Sequence, residues 1–167
     1  SPYMIVDLDK LDPTTLYVYN LLKQNNHSIL KHFITTTEAL NKANKDSLLV
    51  IVDTQNPYIV HSKEMLSLNL KTIVVDHHRG NETSIQGELS HIDPAASSTV
   101  ELLMELSNFF SREIQVDPLE ASIMYGGLVV DTNLFTYRTN GRTFEVASKL
   151  KDYGADTILV KTWLRND

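Results

Sequence analysis

The chain has 167 residues, 42% of them hydrophobic, and a formal net charge of −6. This suits one packed domain and is too apolar for a disordered chain. The charges are scattered with no Lys/Arg-rich stripe, which argues against a duplex-binding surface. The absence of cysteine excludes disulfides, thiolate zinc sites and a Cys nucleophile, and fits a reducing compartment. No apolar stretch approaches the roughly 20 residues of a membrane span, and no signal-peptide pattern is present.

Tyr3-Met4-Ile5-Val6 predicts a strand almost at the first residue, an abrupt start for a natural domain. Asp12 as N-cap with Pro13 at the first helical position opens a helix. Its apolar stripe is Leu16, Tyr17, Tyr19, Leu21 and Leu22. Ser28 to Phe33 predicts a short helix, and Thr37 caps another carrying Ala39, Leu40 and Ala43. Leu48 to Val52 is a strand that leads to a turn at Asn56-Pro57. A short helix holds Met65 and Leu66. Strand Thr72 to Val75 runs into Asp76-His77-His78, and Gly80 and Gly87 flank a surface loop. Ser97 or Ser98 caps a helix with Val100, Leu102, Leu103, Leu106 and Phe109-Phe110. Pro118 opens the next, Leu119 to about Val130, where Gly126-Gly127 permits close backbone approach. Leu128 to Asp131 reads either as the end of that helix or as a strand. Thr139 or Asn140 leads into a helix from Arg142 to Tyr153, closed by Gly154. Asp156 caps a last helix with Ile158, Leu159, Trp163 and Leu164. The alternation predicts an α/β fold with a mostly parallel sheet flanked by helices.

Three apolar runs end in chemistry. Val52 is followed by Asp53-Thr54, Val75 by Asp76-His77-His78, and Val130 by Asp131-Thr132. Open α/β sheets bind ligands at such ends. A hard divalent ion favours carboxylates, and imidazole tolerance tilts the choice toward Mn²⁺ over Mg²⁺. Asp53, His77 and Asp131 give one ion three protein ligands and leave positions open, as in a catalytic site. Asp53 can bridge to a second ion. His78 can bond a phosphoryl oxygen or protonate a leaving group, and Asp76 can orient His77 by accepting its other ring proton.

The plainer alternative is that Asp53 and Asp131 are turn or cap residues. Three such ends in one α/β pattern weigh against it. His27, His32 and His61 sit among polar residues and read as solvated; His91 reads as strand-edge structure. Ser98 is an N-cap candidate at a helix start that can also receive an anion. Arg138 and Arg142 flank the loop after Asp131, and either can clamp phosphate.

Asp76-His77-His78 with Val-Asp-Thr upstream and downstream resembles the DHH phosphoesterase superfamily. Within it, Leu11-Asp12-Pro13-Thr14-Thr15, Val52-Asp53-Thr54, Val75 to Arg79 and Ala96 to Leu102 resemble the GdpP (YybT) family. So do Val129 to Thr132, Phe135 to Thr139, Arg142 to Ser148 and Gly154 to Thr157. The resemblance covers nearly the whole chain. It implies a bacterial phosphodiesterase that linearises cyclic di-AMP to pApA with two Mn²⁺ ions, Mg²⁺ or Co²⁺ being alternatives. It matches Asp53 to the bridging ligand, His77 and Asp131 to ligands of one metal, and His78 to a position near the scissile phosphate. Sister branches with the same motif include nanoRNases, RecJ-like exonucleases and pyrophosphatases. The missing basic groove counts against a long single strand, and a non-enzymatic module remains the contrast.

The chain also departs from the family. The first motif, His-x-x-x-Asp-x-Asp, has no match; Asp7-Leu8-Asp9 lacks the histidine. A Gly-rich C-terminal DHHA1 domain and the family's membrane, PAS and GGDEF-like segments have no counterpart. The expectation is therefore an N-terminally truncated DHH core over residues 1–167, feebly active alone. It would be a cytoplasmic part of a membrane-anchored parent, with an open strand edge able to dimerise.

Overall fold

Two parallel sheets carry the fold in the computed structural model, which describes residues 1–165. β1 (Met4–Ile5) pairs with β2 (Phe33–Ile34); β3 (Leu48–Val52), β4 (Lys71–Asp76) and β5 (Leu89–Ile92) pair in that order. Parallel neighbours need crossovers. α1 (Pro13–Gln24) lies between β1 and β2 in the chain, and α2 (Thr36–Lys42) between β2 and β3. The short α3 (Lys63–Leu66) precedes β4, and α4 (Thr99–Ser107), α5 (Pro118–Asp131), α6 (Gly141–Asp152) and α7 (Thr157–Leu164) follow β5. The expected mostly parallel α/β architecture is what forms.

Local chemistry sets the boundaries. Asp12, Asp117, Asn140 and Asp156 each accept a backbone N–H at their helix start. α2 begins two residues earlier than Thr37 predicts: Thr35 and Glu38 form a reciprocal capping box that fixes the start at Thr36. Ser28 to Phe33 is not one helix. Five residues make a 3-10 turn, Ser28–His32, and Phe33 turns into β2. Leu128 to Asp131 is the last turn of α5 rather than a strand. The Asp117 cap, Pro118 and Glu120 start that helix firmly, and Ala121, Ser122, Leu128 and Val129 bury one stripe of it.

The core lies between helices and sheet. Met104, Ala121, Leu128, Leu150 and Ala155 form one buried cluster, and Val75, Ala96 and Leu102 dock α4 onto β4. Gly127 lets α5 approach α4, since an added Cβ would meet Val100 Cγ2 at 3.3 Å. On the outer strand β3, Leu48, Val50 and Val52 alternate onto an exposed face at 55%, 53% and 45% exposure.

Three histidines expected to be solvated are structural instead. His27 is only 9% exposed; its Nδ1 accepts the Ile29 N–H at 3.1 Å and its Nε2 faces Asp117 Oδ2 at 2.5 Å. His32 Nδ1 bonds the Pro2 carbonyl at 3.0 Å. His61 Nε2 accepts the Asp7 N–H at 3.0 Å. Each ring has a polar partner in the protein.

Asp7 ties the end of β1 to the start of α2. Its carboxylate accepts the Thr36 N–H at 2.8 Å and hydroxyl at 2.5 Å, and Lys10 Nζ at 3.0 Å. Burial pushes the carboxyl up, but the Thr36 hydroxyl and amide, with Lys10, outweigh it and hold the pKa at about 2, against 3.8 ordinarily. A depressed folded pKa stabilises the native state above the unfolded pKa, and that share is lost as pH falls through the folded one. Asp7→Asn is expected to lower stability at neutral pH by about 2 kcal/mol and to flatten its fall between about pH 4 and pH 2. Urea denaturation across that range, on both proteins, checks it.

Candidate metal centre

The register of β3 on β4 brings the candidate residues to one edge. Val52 stands beside Val75, and the Asp53 N–H donates to the Val75 carbonyl at 2.9 Å, so Asp53 and Asp76-His77 leave the sheet side by side. Asp53 then turns left-handed, with φ of 65°, a region that Asp tolerates better than most residues. Its Oδ1 accepts the Thr99 hydroxyl at 2.8 Å, from the first residue of α4.

His77 is buried, with 4% of its side chain exposed. Its Nε2 lies 3.6 Å from Asp53 Oδ1 and 3.5 Å from Asp131 Oδ2. Neither ring nitrogen has a hydrogen-bond partner. Asp131 ends α5, where the helix dipole adds negative potential and favours a cation. Burial pushes its carboxyl up and the Asp53 charge adds to this, while His77, His78 and Arg138 pull it down. The chain then makes three successive left-handed residues, Asn133, Leu134 and Phe135, with φ of 46°, 57° and 59°. Thr132 pins them: its hydroxyl accepts the Phe135 N–H at 3.0 Å, and its carbonyl accepts Thr136 and Tyr137 N–H at 2.9 and 2.8 Å.

These donors fit a divalent ion. Ligands at about 2.1 Å from one ion stand roughly 3 Å apart, close to the separations around His77 Nε2. A buried imidazole nitrogen without a hydrogen-bond partner, facing two carboxylates, is the kind of orphaned donor set that a cation satisfies. Asp53, His77 and His78 also offer one ligand atom each within 4.8 Å of one another. The set is carboxylate and imidazole, the mixture Mn²⁺ accepts.

Asp76 orients His78, not His77. Its Oδ1 accepts the His78 N–H at 3.2 Å and pairs with His78 Nδ1 at 2.7 Å. This is an Asx turn, in which an Asp side chain bonds the backbone two residues on, and it brings His78 back over the carboxylate. The two rings stand 4.3 Å apart at 54°. Asp76 is fully buried, whereas the His78 side chain is 55% exposed.

The candidate substrate residues are placed differently from one another. Arg138 is exposed, left-handed at φ 51°, and within electrostatic reach of Asp131. Ser98 is buried and its hydroxyl accepts the Glu101 N–H at 3.1 Å, capping α4. Arg142 is engaged by Glu105, Glu101 and Asp93 at 3.0, 3.2 and 3.6 Å. Three residues escaped sequence reading: Thr99, Glu101 and Gln55. The buried Glu101 accepts the Ser97 and Thr143 hydroxyls, and Gln55 donates to Asp76 and to the His78 carbonyl. Nothing in a Ser/Thr run or a loop Gln marks such roles. The second His–carboxylate group, His27 with Asp117 and Glu120, differs in kind. Because His27 Nδ1 accepts a backbone N–H, the neutral ring protonates Nε2, which donates to Asp117.

Comparison with known proteins gives the family. The chain is 48% identical over 165 residues to a membrane protein–large ribosomal subunit bL9 fusion protein of Onion yellows phytoplasma, covering 99% of this chain and 19% of that one. It is 40% identical over 168 residues to the cyclic-di-AMP phosphodiesterase PdeA of Listeria monocytogenes, covering 100% of this chain and 25% of the relative. To the cyclic-di-AMP phosphodiesterase GdpP of Bacillus subtilis it is 35% identical over 164 residues, covering 98% and 25%. The chain thus spans a quarter or less of these relatives. Among solved structures, an exopolyphosphatase-related protein from Bacteroides fragilis superposes with a TM-score of 0.65 at 20% identity, covering 99% of this chain and 46% of that one, a likeness of fold. The model of the DHH family N-terminal domain matches residues 6–128, three-quarters of the chain, and with the Asp-His-His at the end of β4 this places the protein in the DHH family.

Proposed function

We propose that this domain hydrolyses cyclic di-AMP to pApA at a manganese centre held by Asp53, His77 and Asp131. One observation carries the reading: the buried His77 Nε2 has no hydrogen-bond partner and faces two carboxylates at 3.6 and 3.5 Å. The relatives named cyclic-di-AMP phosphodiesterases, at 40% and 35% identity, support the substrate. The bacterial parent is proposed to be membrane-anchored, in keeping with the phytoplasma relative's name. Among the described residues no helix is long and apolar enough to cross a membrane.

Bound Mn²⁺ supplies Lewis acidity and lowers the pKa of a coordinated water. The protein's own residues do the rest. Thr99 holds Asp53 so that its second oxygen is free to bind, and Asp53 is the residue suited to bridge two ions. His77 and Asp131 complete the set for one of them. His78, with Nδ1 engaged by Asp76, keeps Nε2 for the substrate: once Nε2 takes up a proton it can donate to a phosphoryl oxygen or deliver that proton to the leaving oxygen. Arg138, beside Asp131, is the cation placed to meet a phosphate. The protein carries net charge −6, so the cations are what make an anionic substrate welcome.

Calorimetric titration with Mn²⁺ tests the centre. Binding is expected in the wild-type chain and lost in His77→Ala and Asp131→Ala; absence of binding in all three would remove the metal reading. Turnover of cyclic di-AMP by this chain alone is expected to be weak, since three or four donors are few for two ions; brisk hydrolysis would show that the donors present suffice.

Affinity for Mn²⁺ should also fall as pH drops from about 7.5 to 5.5, because the imidazoles must be neutral to ligate. The Asp131 carboxyl, held above its ordinary 3.8, acts in the same direction, taking up a proton earlier as pH falls. Titrations at three pH values check the sign; affinity that rose on acidification would sink the imidazole ligand.

A further inference from the structure

Gln55 has no place in the chemistry above, yet it is buried, 8% exposed, in a loop of otherwise accessible residues. Its Nε2 donates to Asp76 Oδ2 at 3.3 Å and to the His78 carbonyl at 2.9 Å. Both partners are acceptors, so the amide can face them only with its NH₂ side. Its backbone carbonyl in turn accepts the Ile85 N–H at 2.7 Å, tying the 81–85 loop to the same point.

We propose that Gln55 is a positioning residue of the centre: by holding Asp76, it fixes His78 as the Nδ1–H tautomer and leaves Nε2 as the nitrogen that can ligate or move a proton. The Asp76 side chain has two kinds of donor among the described residues, those of His78 itself and the Gln55 amide. Of these donors the Gln55 amide is the one from outside the Asp76-to-His78 turn, and it holds the carboxylate's other oxygen, Oδ2. With that rotation set, Oδ1 meets His78 Nδ1 at 2.7 Å. A carboxylate only accepts, so Nδ1 carries the proton and the neutral ring's lone pair is on Nε2. The meaning of this for metal rests on the function proposed above; the tautomer itself does not.

Gly80 belongs to the same device. A Cβ there would lie 2.6 Å from Gln55 Oε1 and 3.2 Å from its Cδ. The amide fills the space that any side chain at residue 80 would need. Gln55 could yield only by swinging its NH₂ away from Asp76 and the His78 carbonyl. Arg79-Gly80, following the Asp-His-His, therefore reads as room made for Gln55.

Long-range ¹H–¹⁵N correlation of the imidazoles, on metal-free protein at a pH where they are neutral, reads the tautomer directly. The wild-type chain is expected to show His78 as Nδ1–H. Gln55→Ala should move the population toward Nε2–H, the form an unconstrained imidazole prefers. Gly80→Ala should do so with Gln55 still present, and adding it to Gln55→Ala should change nothing more. If Gln55→Ala does not fold, Gly80→Ala decides alone. A His78 that stays Nδ1–H in the folded variants overturns the proposal, whatever Mn²⁺ does. A tautomer that moves in a chain whose wild type takes up no Mn²⁺ leaves Gln55 its role and removes the metal reading instead.

Discussion

The contact on which the site depends is between His77 Nε2 and the carboxylates of Asp53 and Asp131, at 3.6 and 3.5 Å. A buried polar atom without a partner costs about 1–3 kcal/mol, and the exposed Asp53 and half-buried Asp131 carboxylates that face each other across it add repulsion. Burial pushes the Asp131 carboxyl up, and the Asp53 charge adds to this. A divalent cation reverses the sign of every term, turning repelling carboxylates and a bare nitrogen into ligands.

Holding that arrangement takes strain, and the strain is concentrated at the residues proposed as ligands. Asp53 is left-handed, and Asn133, Leu134 and Phe135 are left-handed in succession two residues after Asp131. Each such residue costs on the order of 1 kcal/mol or more and persists only where the surroundings over-determine it. At Asp53 the surroundings are the ladder bond to Val75 and the Thr99 hydroxyl. After Asp131 they are the bonds converging on Thr132 and the rings of Phe135, Tyr125 and Phe144, whose centroids stand 6.0 and 5.6 Å apart.

Much of this was legible in the sequence, for physical reasons. An apolar run of β-branched residues that stops at a charged one announces a strand end, and Asp53 and His77 were found that way. Caps were legible because Asp-Pro, Ser and Asn before helical runs have few other uses. Asp131 was found by the same signal, but its element was not, since a short apolar run carries no period that separates a buried strand from a buried helix turn. The partner of Asp76 was misread because adjacency in sequence favours His77, whereas an Asx turn returns the chain to His78. His27 was misread as solvated because its partners, Ile29 and Asp117, include one ninety residues away.

What the sequence hid is the tertiary network behind the site, and it has a common logic. Glu101, 1% exposed on α4, accepts the Ser97 hydroxyl just before that helix and the Thr143 hydroxyl on α6, while Arg142 stands 3.2 Å from its other oxygen. A buried carboxylate needs that many partners to stay charged. Through the two hydroxyl bonds to its Oε2, the fold locks the start of α4, where Thr99 reaches Asp53, to the start of α6, just beyond the left-handed turn that follows Asp131. The two carboxylates that face His77 come from elements far apart in the chain. Glu101 couples their supports through one buried charge, so displacing either support would leave that charge short of partners, a cost that keeps both ligands in register with the imidazole between them.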